Sequence, residues 1–361
     1  MNPTRQLHEL GQRLWLDNIT RRLLKDGTLA RYIDEYAITG LTSNPTIFDH
    51  AIAGGSDYDD AIASAAPGER DDEALFFTLA IEDLRNAAAL FAPIHRASGG
   101  LDGWVSLEVS PLLADDAAAT TASVAKLHAQ AARDNLFVKI PGTPAGTMSI
   151  EESIFAGVPV NVTLLFSRAQ YEASANAYMR GIERRIAAKR DPRVPSVASL
   201  FVSRWDVAVH DQVPPPLRNR LGIAVAQDTY RAYRRLLDSP RWKALEGAGA
   251  SAQRLLWAST GTKDPQASDT LYVEALAAPQ TIDTIPDKTL AAFAAHGRVG
   301  ATMPDDGGDA DTVMGEYRKA GFDLDALARK LQVDGAAAFV KSWRELLGRI
   351  ADKRRALATA R

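Results

Sequence analysis

Leu136-Phe137-Val138-Lys139-Ile140-Pro141 is a short apolar run with a single lysine in its middle. A run of this length and composition, bounded by a proline, reads as a buried β-strand. Successive side chains of a strand point to opposite faces, so Leu136, Val138 and Ile140 share one face and Lys139 stands on the other. The other ten lysines sit in helical or loop contexts where an ammonium stays in water. The same parity recurs on either side of this run. Val105, Leu107 and Val109 alternate with Ser106 and Glu108, and Val160, Val162 and Leu164 alternate with Asn161 and Thr163. An acid, an amine, an amide and a hydroxyl thus point into one interior, an arrangement that apolar packing does not explain.

Eight such runs alternate with longer helical patterns along the chain: Arg13 to Asp17, Ala37 to Thr42, Gly103 to Val109, Leu136 to Ile140, Val158 to Leu164, Ser196 to Val202, Leu255 to Ser259 and Thr281 to Ile285. This alternation is the signature of a parallel sheet with crossover helices. Eight units predict a closed parallel (β/α)8 barrel of the TIM type, although counting alone also admits an open doubly wound sheet. Ser167, with Gln170 three residues on, predicts a capped helix start, and Glu73 to Phe91 reads as a long helix. Beyond Asp287 the pattern is helical only, from Lys288 to His296 and then, after a loop, to a basic tail at Lys353-Arg354-Arg355. Length leaves both one large core and two domains open. The expectation is one barrel domain over residues 1–361, with 287–361 a helical appendage packed on it.

A hydrophobic fraction of 46%, with 24% charged residues, is that of an ordinary globular chain and predicts a packed core. The net charge of -3 supplies no field for nucleic acid or an acidic membrane surface, so an anionic ligand must be held by a few local cations. With no cysteine, disulfides, thiolate nucleophiles and cysteine metal sites are excluded. The six histidines show no metal-ligand spacing, and Asp305 to Asp311 departs from a calcium loop at Gly307 and Ala310. No metal is expected. There is no Gly-x-Gly-x-x-Gly after the first strand and no Walker loop, so no nucleotide cofactor is expected either. The first residues lack the uninterrupted apolar core of a signal peptide, and no later run approaches the roughly 20 apolar residues of a membrane span. A cytoplasmic location is the expectation.

Burial disfavours the charged form of an amine and makes it available to attack a carbonyl, which predicts a Schiff-base role for Lys139. Its plain alternative is a strand-end lysine that snorkels or makes a structural ion pair. Asp17 ends the first run and could equally be a helix cap, and Thr42-Ser43-Asn44-Pro45-Thr46 could be turn chemistry.

Taken together, these stretches resemble the transaldolase family. The resemblance rests on Leu41-Thr42-Ser43-Asn44-Pro45-Thr46-Ile47-Phe48, Val105 to Val109, Val138-Lys139-Ile140-Pro141-Gly142-Thr143, Val160 to Ser167, and Ser199-Leu200-Phe201-Val202-Ser203-Arg204. It spans most of the chain, and the length fits the longer bacterial type rather than the shorter fructose-6-phosphate aldolase type. The resemblance implies that Lys139 forms the Schiff base and that Asp17 exchanges the proton of the C4 hydroxyl as the C3–C4 bond breaks. It further implies that Glu108 and Thr163 hold a water that shuttles protons. Thr42, Asn44, Asn161 and Ser199 are the matching substrate-binding positions, with Asn44 and Asn161 on donor hydroxyls and Ser199 near the C1 hydroxyl.

For the phosphate, the resemblance implies Arg204 and Ser259. Where many family members carry an arginine two residues after that serine, this chain has Gly261; Lys263 is the expected replacement, with the backbone amides of Gly261 and its neighbours as the alternative. The implied reaction moves a dihydroxyacetone unit from sedoheptulose 7-phosphate or fructose 6-phosphate to glyceraldehyde 3-phosphate or erythrose 4-phosphate, in the non-oxidative pentose phosphate pathway and without a cofactor. Two rivals remain at this point: an aldolase that releases free dihydroxyacetone, and a non-catalytic barrel that binds sugar phosphates. Oligomeric state is not legible.

Overall fold

Each predicted strand is followed by helical sequence that returns the chain to the same end of the sheet, and the result is an all-parallel ring. The computed structural model describes residues 2–64 and 71–359. Its strands are β1 (Arg13–Asp17), β2 (Ile38–Thr42), β3 (Trp104–Glu108), β4 (Leu136–Pro141), β5 (Val160–Leu165), β6 (Ser196–Phe201), β7 (Gln253–Ala258) and β8 (Ile282–Ile285). They close in sequence order, with β8 pairing parallel to β1. The barrel expectation is met and the open sheet is excluded.

Strand parity separates two layers. Leu14, Leu16, Val105, Leu107, Leu136, Val138, Ile140, Val160 and Val162 join the apolar layer between strands and helices. Inside, Trp15, Trp104, Phe137, Val197, Leu256 and Ile282 belong to a separate apolar cluster. Trp104 stacks on Phe137 at 4.1 Å between ring centroids, and Trp15 lies 6.0 Å from Phe137. Gly40 makes room for this plug, because a Cβ there would lie 2.7 Å from the Trp15 indole. Water is thus excluded from one end of the barrel, and polar side chains on the same strands meet nearer the other.

The alternation breaks at one predicted position. Simple parity places Leu164 on the face of Val160 and Val162, but it joins the inner cluster and Leu165 takes the outward place. The β5–β6 register shifts between Val162 and Leu165, and Leu164 has φ of 59°. One extra residue reverses the facing of the residues after it, and a branched side chain in the left-handed region is strained enough to need support from its surroundings.

Helix Arg168–Ala187 begins as its sequence predicts, with Ser167 Oγ accepting from Gln170 N at 3.2 Å. The reciprocal arm shifts by one residue, since Gln170 Oε1 accepts from Phe166 N at 2.7 Å. The long helix runs over Asp72–Ala97, past the expected stop at Phe91 and through Pro93. Its buried face, from Leu75 to Phe91, holds it against the sheet despite the lost backbone donor.

At the far end of the chain, helix Asp287–His296 packs beside helix Pro3–Leu10 and β1. Helix Leu324–Thr359, 36 residues and so about 54 Å long at roughly 1.5 Å per residue, reaches from the ends of β4 and β5 to helix Pro45–Ala53. Gln332 Nε2 donates to Gly142 O at 3.0 Å and Leu164 O at 2.9 Å, and Arg349 pairs with Asp49 at 2.6 Å. The acidic loop spends its carboxylates on arginines: Asp311 lies 2.7 Å from Arg231 and Asp305 3.5 Å from Arg234. Among the described residues no helix is long and apolar enough to cross a membrane.

One buried carboxyl links the fold to pH. Asp283 on β8 accepts from Thr260 Oγ1 at 2.8 Å, while its Oδ2 has no protein partner. Burial pushes it from the ordinary 3.8 to about 7. Because the folded value is raised, its favourable contribution is full below about pH 4 and is lost as pH rises through about 7. Asp283→Asn keeps the acceptor for Thr260, so the fall in Tm between pH 5.5 and 8.5 should be shallower in the variant, by roughly 2–4 °C for each kcal/mol recovered. Equal slopes in the two proteins would remove Asp283 from the pH response.

Candidate active site

The strands deliver their inward polar residues in layers above the aromatic plug. β3 and β4 set Glu108 opposite Lys139, and β4 and β5 set Lys139 opposite Asn161. The Lys139 side chain is only 6% exposed. Its Nζ lies 3.2 Å from Glu108 Oε2 and donates to the Ser43 carbonyl at 3.0 Å. Lys139 is therefore no snorkelling lysine; its amine is held inside the barrel.

Burial raises Glu108, and the neighbouring Lys139 charge and hydrogen bond oppose that rise. Glu108 Oε1 and Thr163 Oγ1 are both buried without a protein partner. Buried polar atoms are rarely left so, and each of these two keeps its hydrogen-bonding capacity for a further polar partner.

Asp17, half-buried at the end of β1, accepts from Thr42 Oγ1 at 2.7 Å, and Thr42 in turn lies 2.6 Å from Thr284 Oγ1. Burial raises Asp17 as well, against the Lys139 charge, the Thr42 hydrogen bond and the Lys263 charge. Asp17 is no helix cap: Thr20 caps the next helix by accepting from Leu23 N. Beside Lys139, Asn161 Nδ2 donates to Ser106 Oγ at 3.1 Å, and Ser199 Oγ donates to Asn161 Oδ1 at 2.7 Å. Asn44 spends its Oδ1 on capping helix Pro45–Ala53, accepting from Ile47 N at 3.1 Å. Its amide nitrogen is left for other partners.

The cations lie toward the mouth. Arg204 follows β6, and among the described residues its guanidinium meets no carboxylate; its contacts are the Phe201 ring at 5.3 Å and the Phe339 ring at 6.0 Å. Arg204 makes no ion pair with Asp206, two residues on along the chain. Asp206 instead accepts from Leu221 N, Gly222 N and Tyr272 Oη, the last at 2.8 Å. Ser259 leaves β7 with φ of 57° and its Oγ lies 2.9 Å from Ser203 Oγ. A Cβ on Gly261 would be 3.7 Å from Lys263 Nζ, so the lysine reaches back to the position of the missing arginine.

Residues that the sequence left without a role also join the site. The parity of β3 and β8 marks Ser106 and Thr284 as inward, but nothing in their surroundings along the chain reveals their partners. The Ser43 carbonyl and Phe339 have no sequence signal: one is backbone, the other meets Arg204 from 135 residues further along the chain.

Comparison with known proteins shows the family over nearly the whole chain. The family described as Transaldolase/Fructose-6-phosphate aldolase matches residues 14–350. A protein of Thiobacillus denitrificans named Transaldolase is 43% identical over 97% of this chain and 100% of its own length. One of Neisseria gonorrhoeae, also named Transaldolase, is 40% identical over 94% of this chain and 96% of its own. Transaldolase 2 of Nostoc punctiforme is 36% identical over 98% of each.

Proposed function

Because the chain belongs to the transaldolase/fructose-6-phosphate aldolase family and is a transferase of the transaldolase kind, we propose that Lys139 carries the transferred three-carbon unit as a Schiff base. The observation that carries this reading is the Lys139 amine held inside the barrel between Glu108 Oε2 and the Ser43 carbonyl. Nζ adds to the C2 carbonyl of the ketose phosphate, and the carbinolamine loses water to give the imine. Glu108, with Thr163, moves the protons of this step through a water bound at Glu108 Oε1 and Thr163 Oγ1. The carboxylate of Asp17, oriented by Thr42, then takes the proton of the C4 hydroxyl. The C3–C4 bond breaks, its electron pair passes into the imine, and the aldose phosphate leaves.

What remains on Lys139 is an enamine of dihydroxyacetone, which attacks the aldehyde carbon of the acceptor as Asp17 returns its proton. Hydrolysis then frees the new ketose phosphate. Asn44, Asn161 and Ser199 hold donor hydroxyls, and Arg204, Ser259 and Lys263 hold the phosphate, with Lys263 in place of the arginine absent at position 261. No cofactor has a step in this scheme. The reading extends to sedoheptulose 7-phosphate and fructose 6-phosphate as donors, to the non-oxidative pentose phosphate pathway, and to the cytoplasm. It also takes the chain as one barrel domain with 287–361 as a helical addition packed on it.

The test is acceptor dependence. With fructose 6-phosphate as donor, release of glyceraldehyde 3-phosphate should require erythrose 4-phosphate beyond the first turnover, followed in a coupled assay. Sustained release at the same rate without acceptor would replace transfer by simple aldol cleavage.

A further inference from the structure

Helix Leu324–Thr359 turns one face to the barrel mouth. Gln332, Gly335, Phe339 and Ser342 are spaced three, four and three residues apart, which places them on one side of a helix. Each has its contact there. Gln332 ties the ends of β4 and β5, and Ser342 Oγ accepts from Thr46 Oγ1 at 2.9 Å, two residues beyond Asn44. Between them, the Phe339 ring lies 6.0 Å from the Arg204 guanidinium carbon. A Cβ on Gly335 would come within 3.2 Å of Arg204 Nη1 and 3.0 Å of Leu164 Cδ2.

Most buried or half-buried arginines are held by a carboxylate, as Arg254 is by Asp102 at 3.0 Å. Arg204 is not, and a paired guanidinium would be a weaker phosphate ligand, because the phosphate would have to compete with the carboxylate. Aromatic faces solve this problem. They fix a flat guanidinium and shield it from water without neutralising its charge or using its N–H donors. Burial alone pulls the Arg204 pKa down, with no opposing charge nearby.

We propose that the C-terminal helix completes the phosphate subsite, with Phe339 and Gly335 as positioning residues that hold the Arg204 guanidinium ready for the substrate phosphate. This rests on the reading of Arg204 as the phosphate ligand. Phe339 supplies a ring face, and Gly335 supplies the space that any side chain would take from the guanidinium and from the strained Leu164. The tie from Gln332 to the Leu164 carbonyl fixes the height of the helix above that strand end. Selectivity for phosphorylated sugars then depends on a helix that contributes no group to the chemistry.

The experiment measures half-saturating concentrations for borohydride trapping at Lys139, with fructose 6-phosphate and with dihydroxyacetone. Arg204→Ala should sharply reduce the preference for the phosphorylated sugar, leaving only what Ser259 and Lys263 supply. Phe339→Leu, which keeps bulk but removes the ring, should raise the half-saturating fructose 6-phosphate by roughly 3- to 30-fold, without a matching rise for dihydroxyacetone. Gly335→Ala should act in the same direction. Adding Phe339→Leu to Arg204→Ala should cost nothing more, since both act through one group. A preference retained in Phe339→Leu, an equal rise for both sugars, or a loss that persists without Arg204 overturns the proposal while leaving Arg204 in place. An undiminished preference in Arg204→Ala overturns the reading of Arg204 itself.

Discussion

Lys139→Met should abolish transfer, with a loss beyond the roughly 10,000-fold ceiling for removing a single general acid or base, because no other amine among the described residues is held inside the barrel to form the imine. The side chain is 6% exposed and makes its polar contacts with Glu108 and the Ser43 carbonyl, so methionine fills the same space without the nucleophile. Borohydride reduction of the wild-type protein with fructose 6-phosphate should add a dihydroxyacetone-derived fragment, and peptide mapping by mass should place it on Lys139. Lys139→Met should take up none. Labelling of another lysine, or residual transfer above a hundredth of wild type, would rule out the mechanism proposed above. Lys139→Arg is a useful companion, since it keeps a cation beside Glu108 but offers no free amine.

The two carboxylates should fail at different steps. Glu108→Gln should slow imine formation, seen as slower trapping by borohydride, while Asp17→Asn should trap at a near-normal rate but no longer cleave the C3–C4 bond. Each loss in turnover should fall at about 100- to 10,000-fold. Losses below tenfold in both would return these residues to structure. The pH dependence has a defined sign. Burial raises the Asp17 pKa, and its hydrogen bond from Thr42 lowers it. Turnover needs Asp17 ionised, so the acid limb of kcat/KM should lie above the ordinary aspartate range. Thr42→Val removes a hydrogen bond that favours ionisation and should move that limb to higher pH. A limb that stays in place or moves down would show that Asp17 is not the titrating group.

Much of this architecture is legible in the amino-acid order. The strand at Leu136–Pro141 and its neighbours declare themselves by composition and by alternation, because a two-residue period with one face against helices must place Lys139, Glu108, Asn161 and Thr163 together on the other. Strand ends are legible to within two residues, since Gly, Pro and polar clusters mark where pairing stops. The error at Leu164 is of a different kind. A bulge changes facing without changing composition, and it is set by the fit between β5 and β6.

Closure of the ring was seen only in the pairing of β8 with β1, while the amino-acid order by itself determined a parallel sheet of eight strand–helix units, the inward set around Lys139 and, through resemblance, the family. Those properties are local or periodic, and periodicity survives in a string of letters. Only the tertiary structure decided that Arg204 has no carboxylate partner among the described residues, that Lys263 reaches back to Gly261, and that Phe339 and Gly335 meet Arg204 from a helix far along the chain. Asp206 lies two residues from Arg204 in sequence, yet it is consumed by backbone donors at Leu221 and Gly222 and by Tyr272. The choice of partner for a charged side chain is a competition among all groups that folding brings near it, and distance along the chain carries almost no information about that competition.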